Sequence, residues 1–147
     1  MTRLWRISNF ADLTGTGGLH FEGRWHSLGQ RIVYTAAHPA GAVTELLVSN
    51  KRGSLPLYFQ MLEIALAPSL AIEEIPLASL PPGWTGDKTI TRAIGDGWLS
   101  ECRTLALRVP SVLVPNSWNV LLNPAHSDAS ALRIVSVSQY PLDDRFR

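Results

Sequence analysis

Short strands dominate the regular segments of this sequence, and they do not alternate one for one with helices. Apolar, β-branched and aromatic residues predict strands at residues 4–7, 30–36, 57–66, 104–115 and 132–140. Apolar residues at three-and-four spacing favour helices at residues 40–50 and 88–101. This order predicts an α+β fold with a mixed or antiparallel sheet, rather than a doubly wound parallel sheet.

Length and charge limit the class of protein. The chain has 147 residues, a formal net charge of +1 and 46% hydrophobic residues. A single domain spanning residues 1–147 is expected at this size. The near-neutral charge argues against a disordered chain and against a strongly basic nucleic-acid surface, so we expect no direct binding of DNA.

The cysteine and histidine content argues against a disulfide and against a metal site. Cys102 is the single cysteine, and it is expected to be a small buried hydrophobe. The four histidines are scattered and do not have the spacing of zinc ligands. The N-terminal residues lack the apolar run of a signal peptide, and no window approaches the roughly 18 apolar residues of a membrane span. We therefore expect a cytoplasmic protein.

The stretch from residue 23 to residue 47 places three chemically useful side chains at the ends of short elements. Arg24 precedes a turn, and it is either a surface cation stacked on Trp25 or a ligand-binding guanidinium. Tyr34 lies in a predicted strand, where a half-buried tyrosine is common. Glu45 has the small residues Gly41 and Ala42 as helical neighbours, so it is either a solvated glutamate or one with space for a ligand.

Ser111 lies where a proline interrupts the predicted strand at residues 104–115. Pro110 cannot donate a ladder hydrogen bond, so a bulge or an edge is expected there. The hydroxyl of Ser111 is then either exposed in a cleft or bound to the backbone of the turn.

The order of five motifs resembles the RES domain, the toxin half of bacterial RES–Xre toxin–antitoxin pairs. The motifs are Gly-Arg-Trp at residues 23–25, Val-Tyr-Thr-Ala at 33–36, a glutamate in an apolar helix, Pro-Ser-Val-Leu-Val-Pro at 110–115 and Asn-Pro-x-His at 123–126. The arginine, glutamate and serine that name the family correspond to Arg24, Glu45 and Ser111. One position departs from the pattern, because His26 stands where asparagine is expected.

The resemblance implies a fold like that of ADP-ribosyltransferases and an activity that consumes NAD⁺ as substrate, without a separate cofactor. Glu45 would stabilise the positive charge that develops on the ribose, and Arg24 would bind the pyrophosphate through paired hydrogen bonds. Tyr34 would stack on nicotinamide or hold a ribose hydroxyl, and Ser111 would donate to a phosphate or to the carboxamide. The further candidates for nucleotide binding are Arg31, Arg52 and Asn123.

The acceptor of the ribosyl group stays open at this level. Water would make the protein an NAD⁺ glycohydrolase, phosphate would make it a phosphorylase, and a protein side chain would make it an ADP-ribosyltransferase. A non-catalytic nucleotide-binding or interaction module is the alternative from another class. The resemblance also implies an Xre-type helix-turn-helix antitoxin that covers the active site. Trp84, Trp98 and Trp118 are expected to be buried in the core, and the alternative is that they offer exposed apolar surface for this contact or for a homodimer.

Overall fold

The computed structural model describes residues 1–50 and 53–147, and one sheet organises them. Its seven described strands are β1 (Thr2–Ile7), β2 (Val33–Ala36), β3 (Tyr58–Leu66), β4 (Ile72–Glu74), β5 (Ala106–Pro110), β6 (Trp118–Leu122) and β7 (Arg133–Pro141). The described α-helices are α1 (Gly17–His20), α2 (Pro39–Ser49) and α3 (Lys88–Glu101). Short 3₁₀ turns cover Leu77–Ser79, Trp84–Gly86, Ser127–Ala131 and Asp144–Phe146.

The strand order is β4-β5-β6-β2-β1-β3-β7, and the sheet is mostly antiparallel. β4 and β5 run parallel, while the other paired strands run antiparallel. This mixed sheet confirms the α+β prediction. Strands that are neighbours in the sheet are often distant in the chain, as with β2 and β6, so long-range contacts decide the topology.

The two predicted helices are confirmed, with small changes at their ends. Asp87 caps α3, since its side chain accepts a hydrogen bond from the backbone N–H of Thr89 at 2.9 Å. α2 begins at Pro39 and ends at Ser49. Lys51 and Arg52, which follow in the sequence, lie outside the described residues.

Two segments differ from the prediction. The strand predicted at residues 104–115 ends at Pro110 as β5, and the residues after it form a turn that leads to β6. The glycine-rich segment around residues 14–19 lies outside the predicted strands and helices, yet its second half forms the single helical turn α1. Proline explains the first difference, because it cannot supply the N–H that continues a ladder.

The two faces of the sheet pack against different partners. One face carries a cluster that includes Leu4, Val33 and Ile64, covered by loops. On the other face, α3 and the segment around Trp25 pack over β5, β6 and β2, whereas α2 packs over β1 and β3. α2 and α3 therefore lie on the same face of the sheet and leave space between them.

β1 and β2 diverge in the middle of the sheet. Within the described chain they share one register pair, Trp5 opposite Ala36, whereas β1 and β3 share six, from Thr2 to Ile7. The side chain of Arg6 bridges the gap, since its Nη1 donates to the carbonyl oxygen of Tyr34 at 2.9 Å. This divergence opens a cleft beside α2.

One expectation about a single residue was wrong, and the burial expected for two tryptophans is confirmed. Cys102 is exposed rather than buried, because it caps the C-terminus of α3 in the left-handed conformation, with φ of 48°. Trp84 and Trp98 are buried in the cluster beneath α3, so they offer no apolar surface for a partner. Trp118 is half-buried, and the guanidinium of Arg108 lies 4.4 Å from the centroid of its ring.

Candidate functional site

The cleft between α2 and the diverging strands has a volume of about 490 Å³. Its walls come from β1, β2, the segment 22–25, α2, the start of α3 and the turn after β5. This volume falls in the range of small-molecule sites. Three of the residues predicted from the sequence line it together, namely Arg24, Tyr34 and Glu45.

Glu45 stands on α2 and points its carboxylate into the cleft. The small neighbour Ala42 packs against the sheet, so the helix lies close to β2 and the longer side chain projects into the opening. Solvent reaches the side chain, yet the surrounding walls partly desolvate the carboxyl group and raise its pKa above the ordinary value. The positive charge of Arg24 acts in the opposite direction and lowers that pKa. A carboxylate and a guanidinium thus influence each other across the cleft.

Arg24 is half-buried, and its position is set by contacts from distant parts of the chain. Its Nη1 donates to the carbonyl oxygen of Thr85 at 2.8 Å. Its own carbonyl oxygen accepts a hydrogen bond from the hydroxyl of Thr91 on α3 at 2.5 Å. The neighbouring Trp25 is buried against Trp84, with ring centroids 6.1 Å apart, so it belongs to the core instead of stacking at the surface with Arg24. One hydrogen bond leaves a guanidinium further donors for an anionic ligand.

Tyr34 joins β2 to the segment before it through its hydroxyl group. The oxygen accepts a hydrogen bond from the backbone N–H of Trp25 at 3.1 Å, and it lies 2.7 Å from Nδ1 of His26. Burial is the main reason that the pKa of Tyr34 is raised above its ordinary value. Gly23 lies directly against this hydroxyl, where a Cβ atom would overlap the phenol oxygen. Glycine is therefore required for the approach of the two segments.

Helix α3 holds the segment 23–30 in place through polar side chains on one face. Asp96 accepts hydrogen bonds from the backbone and hydroxyl of Ser27, at 2.8 and 2.5 Å, and from Nε2 of Gln30 at 2.7 Å. Nε of Arg92 donates to the carbonyl oxygen of Gly23 at 2.8 Å. This supporting role of α3 was not predicted from the sequence. The polar residues at positions 91, 92 and 96 were the signal for this supporting role.

Gly95 explains how α3 comes so close to the segment 23–30. A Cβ atom at this position would overlap the carbonyl oxygen of Trp25, whereas a Cβ atom at Gly97 would meet nothing within 4 Å. A glycine inside a helix lowers helix propensity, and at Gly95 the close contact compensates for it.

Two cations of the cleft were missed by sequence reasoning. Arg6 on β1 and Lys88 at the start of α3 both line it. Burial lowers the pKa of Arg6 from its ordinary value, while the negative charge of Asp12 raises it. An arginine side chain remains protonated in proteins. For Arg6, the sequence signal was the presence of an arginine within the alternating apolar pattern of β1.

Arg31 lies outside the cleft that holds Glu45. Its Nη1 donates to the carbonyl oxygen of Thr14 and to the hydroxyl oxygen of Thr16, both at 3.2 Å. It thus fastens the glycine-rich segment, and it is absent from the described lining of the cleft. The other predicted cation, Arg52, lies outside the described residues.

Ser111 and Asn123 also support turns instead of lining the cleft. The hydroxyl oxygen of Ser111 accepts hydrogen bonds from the backbone N–H groups of Leu113 and Val114, at 3.2 and 3.1 Å. Asn123 is buried, and its Nδ2 donates to the carbonyl oxygen of Leu99 at 3.2 Å. Neither belongs to the described lining, although the neighbouring residues Val112 and Leu113 do. Of the two readings of Ser111, the geometry favours the serine that binds the turn backbone.

The described residues offer neither a metal centre nor a membrane span. In residues 1–50 and 53–147, no group of three or more histidine, cysteine, aspartate or glutamate side chains is arranged to hold a metal ion. No helix in the same part of the chain is long and apolar enough to cross a membrane.

Comparison with known proteins identifies relatives along nearly the whole chain. The family model described as the RES domain matches residues 3–143. The protein named Toxin Res from Pseudomonas putida is 40% identical over 144 residues, which cover 97% of each chain. The Prs ADP-ribosylating toxin from Sphingobium sp. is 36% identical over 154 aligned residues, covering 98% of this chain and 96% of the relative.

A solved structure shares the fold. The crystal structure of the MbcT–MbcA toxin–antitoxin complex from M. tuberculosis contains a chain that superposes with a TM-score of 0.78 and 14% sequence identity. The superposition covers 95% of this chain and 84% of that chain. At this level of identity the similarity concerns the fold alone.

Proposed function

Because this chain belongs to the RES domain family, we propose that it is the toxin of a toxin–antitoxin pair and that it cleaves the nicotinamide–ribose bond of NAD⁺. The observation that carries the proposal is the meeting of Glu45 with a set of cations in a cleft of about 490 Å³. NAD⁺ combines a pyrophosphate with a ribose that becomes positively charged when nicotinamide leaves. The cleft offers both the positive and the negative side chains that such a substrate requires.

The carboxylate of Glu45 supplies the negative charge for the reacting sugar. The nicotinamide nitrogen departs as a neutral group, so its departure requires no general acid, and positive charge develops on the ribose. A carboxylate near the ribose stabilises this oxocarbenium-like state and accepts a hydrogen bond from a ribose hydroxyl. Partial desolvation of Glu45 strengthens the interaction, since fewer waters screen the charge.

The cations of the cleft would bind the pyrophosphate. Arg24 uses one donor for the carbonyl oxygen of Thr85 and keeps others for a ligand. Arg6 and Lys88 line the same cleft and add two positive charges. A planar guanidinium meets phosphate oxygens through two parallel hydrogen bonds, which fixes orientation as well as charge. Orientation matters because the ribose must lie beside Glu45 for the bond to break.

Transfer of the ADP-ribosyl group to a protein is a second candidate. It rests on the Sphingobium relative, whose name describes an ADP-ribosylating toxin and which aligns with 98% of this chain. The same carboxylate serves both reactions, because they share the cleavage of the nicotinamide–ribose bond. They differ in the acceptor that attacks the ribose. An antitoxin partner is part of the proposal, supported by the toxin–antitoxin complex that shares the fold.

The test is incubation of the purified chain with NAD⁺ in phosphate buffer and in phosphate-free buffer, with the products resolved by proton NMR. We expect free nicotinamide from the wild type and none from Glu45→Gln. Glu74→Gln is the matched control, because Glu74 is an exposed glutamate on β4 outside the lining of the cleft, and it should retain full activity. A phosphorylated ribosyl product would identify phosphate as the acceptor.

A folded wild type that releases no nicotinamide would contradict NAD⁺ degradation by the chain alone. Addition of a lysate then separates the remaining functions. Mass spectrometry that finds ADP-ribose on a protein, again only with Glu45 intact, would establish the transferase. Absence of both products would leave the non-catalytic module.

A further inference from the structure

The most buried titratable side chain near the cleft is a histidine that the proposed mechanism does not use. His26 is 2% exposed and lies behind Tyr34, with the ring centroids 5.5 Å apart. Both of its ring nitrogens have polar partners within the described residues. Nδ1 lies 2.7 Å from the hydroxyl oxygen of Tyr34, and Nε2 lies 3.0 Å from the carbonyl oxygen of Phe21 and 3.3 Å from that of Gly18.

The partners of Nε2 decide which nitrogen carries the proton in the neutral ring. A carbonyl oxygen only accepts hydrogen bonds, so Nε2 must donate to Phe21 and Gly18. An unprotonated Nε2 would face two buried oxygen atoms with its own lone pair, which is costly away from water. In the neutral ring the other nitrogen, Nδ1, is then an acceptor.

The lone pair of Nδ1 in turn decides the direction of the Tyr34 hydroxyl. Tyr34 has one O–H donor, and the 2.7 Å contact makes Nδ1 of His26 its acceptor. The backbone N–H of Trp25 donates to the same phenol oxygen at 3.1 Å. The donor of the phenol is therefore used inside the protein. Any further hydrogen bond of this oxygen to a ligand must be one that it accepts.

We propose that His26 is a positioning residue that fixes the hydroxyl of Tyr34 as a hydrogen-bond acceptor towards the cleft. Tyr34 then recognises a donor group of the ligand, a sugar hydroxyl or a carboxamide N–H, and does not donate to phosphate or carboxylate oxygens. The identity of that ligand as NAD⁺ rests on the proposed function, whereas the direction of the hydroxyl does not. Within that function, the ribose hydroxyls and the nicotinamide carboxamide are the groups that Tyr34 would meet.

The first test reads the tautomer directly and needs no substrate. Long-range ¹H–¹⁵N spectra of protein labelled with ¹⁵N-histidine distinguish a protonated ring nitrogen from an unprotonated one. We expect the signals of His26, assigned by their loss in His26→Gln, to show that the neutral ring carries its proton on Nε2. A proton on Nδ1, or on both nitrogens, would overturn the proposal even if NAD⁺ turnover were established.

The second test uses two variants that each keep one of the two hydrogen-bonding groups of the imidazole ring. His26→Asn keeps an acceptor near the position of Nδ1, whereas His26→Gln keeps an N–H near the position of Nε2 and loses the acceptor. We expect kcat/KM for NAD⁺ to fall about tenfold further in His26→Gln than in His26→Asn, which corresponds to one hydrogen bond. The free energies of unfolding of the two variants in urea need not follow the order of their kcat/KM values, because stability also depends on the contacts with the carbonyl oxygens.

A Tyr34→Phe background shows whether His26 acts through the phenol. In that background the two His26 variants should have equal kcat/KM, since the hydroxyl that they orient is gone. If His26→Gln stayed about tenfold below His26→Asn without the hydroxyl, the positioning role would be wrong. Equal kcat/KM in the Tyr34-containing proteins would also overturn it. If no variant and no wild type turned over NAD⁺, the proposed function would fail while the tautomer measurement would still decide the direction of the hydroxyl.

Discussion

The two helical walls of the cleft are built by different means. α3 holds its wall with hydrogen bonds from polar side chains, as Thr91, Arg92 and Asp96 bind the segment 23–30. α2 packs on the sheet with small apolar residues, since Ala42 belongs to the cluster with Ala36 and Met61. Hydrogen bonds are directional, so the α3 wall sets the orientation of Arg24 and Tyr34. Apolar packing sets a distance, so the α2 wall brings Glu45 to the opening and leaves its carboxylate free of the core.

The largest effect is expected where α3 touches the segment 23–30 most closely. Gly95→Ala places a Cβ atom against the carbonyl oxygen of Trp25, and we expect the free energy of unfolding to fall by about 3 kcal/mol or more. Gly97→Ala in the same helix has open space and should raise it by up to about 1 kcal/mol. Urea denaturation measures both. Similar values for the two variants would contradict the close contact of this wall.

Asp96 tests the polar nature of the same wall. Asp96→Ala leaves the Ser27 N–H, the Ser27 hydroxyl and the Gln30 amide without their acceptor, and we expect a loss of about 2–3 kcal/mol in the free energy of unfolding. Asp96→Asn keeps one carbonyl oxygen and should lose less. Ser100→Ala, at an exposed position of α3, is the control and should stay within about 0.5 kcal/mol of the wild type. If Ser100→Ala lost as much unfolding free energy as Asp96→Ala, the claim that hydrogen bonds of Asp96 hold the α3 wall would be wrong.

The electrostatic link between the walls is tested by pH. Burial raises the pKa of Glu45 and Arg24 lowers it, so Arg24→Gln should raise this pKa further. The proposed chemistry uses the carboxylate form, which disappears as the pH falls through the pKa of Glu45. The acidic limb of the kcat/KM profile for NAD⁺ should therefore move to higher pH in Arg24→Gln. Arg133→Gln, on β7 outside the lining of the cleft, should leave the limb in place.

The same pKa has a consequence for stability with a defined sign. A carboxyl group whose pKa is raised on folding contributes stability that is fully present below its unfolded pKa and is lost as the pH rises through the folded pKa. Glu45→Gln should remove this pH dependence in denaturation experiments. In the kcat/KM profiles described above, an acidic limb that moves to lower pH in Arg24→Gln would show that a group other than Glu45 controls this limb.

The smallest effect is expected at Ser111, which belongs to neither helical wall. Ser111→Ala removes the acceptor of two backbone N–H groups in the turn after β5, and we expect a loss of about 1 kcal/mol in the free energy of unfolding. Turnover of NAD⁺ should change less than about twofold, because the hydroxyl is used by the turn. A loss of turnover with unchanged stability would show instead that Ser111 contacts the substrate.

Sequence periodicity and capping determined the helices and most of the strands. The apolar spacing of α3 and the N-cap at Asp87 are local signals, because they depend on residues within one or two turns of a helix. The ordered motifs determined the family, and with it the meeting of Arg24, Tyr34 and Glu45 in one cleft. The predictions of the helices, of most strands and of the family succeeded because each of these patterns lies along the chain.

Tertiary structure alone decided how individual polar side chains are used. The partner of Arg24 at Thr85 lies 61 residues away, and Asp96 binds Ser27 over 69 residues. Arg31, Ser111 and Asn123 had suitable chemistry for a nucleotide, yet their hydrogen bonds are taken by nearby backbone and loops. The divergence of β1 and β2 likewise has no local signal, since strand pairing depends on which distant segments the sheet brings together. A side chain's donors and acceptors are assigned by the neighbours that folding supplies, and those neighbours are not contained in any short stretch of sequence.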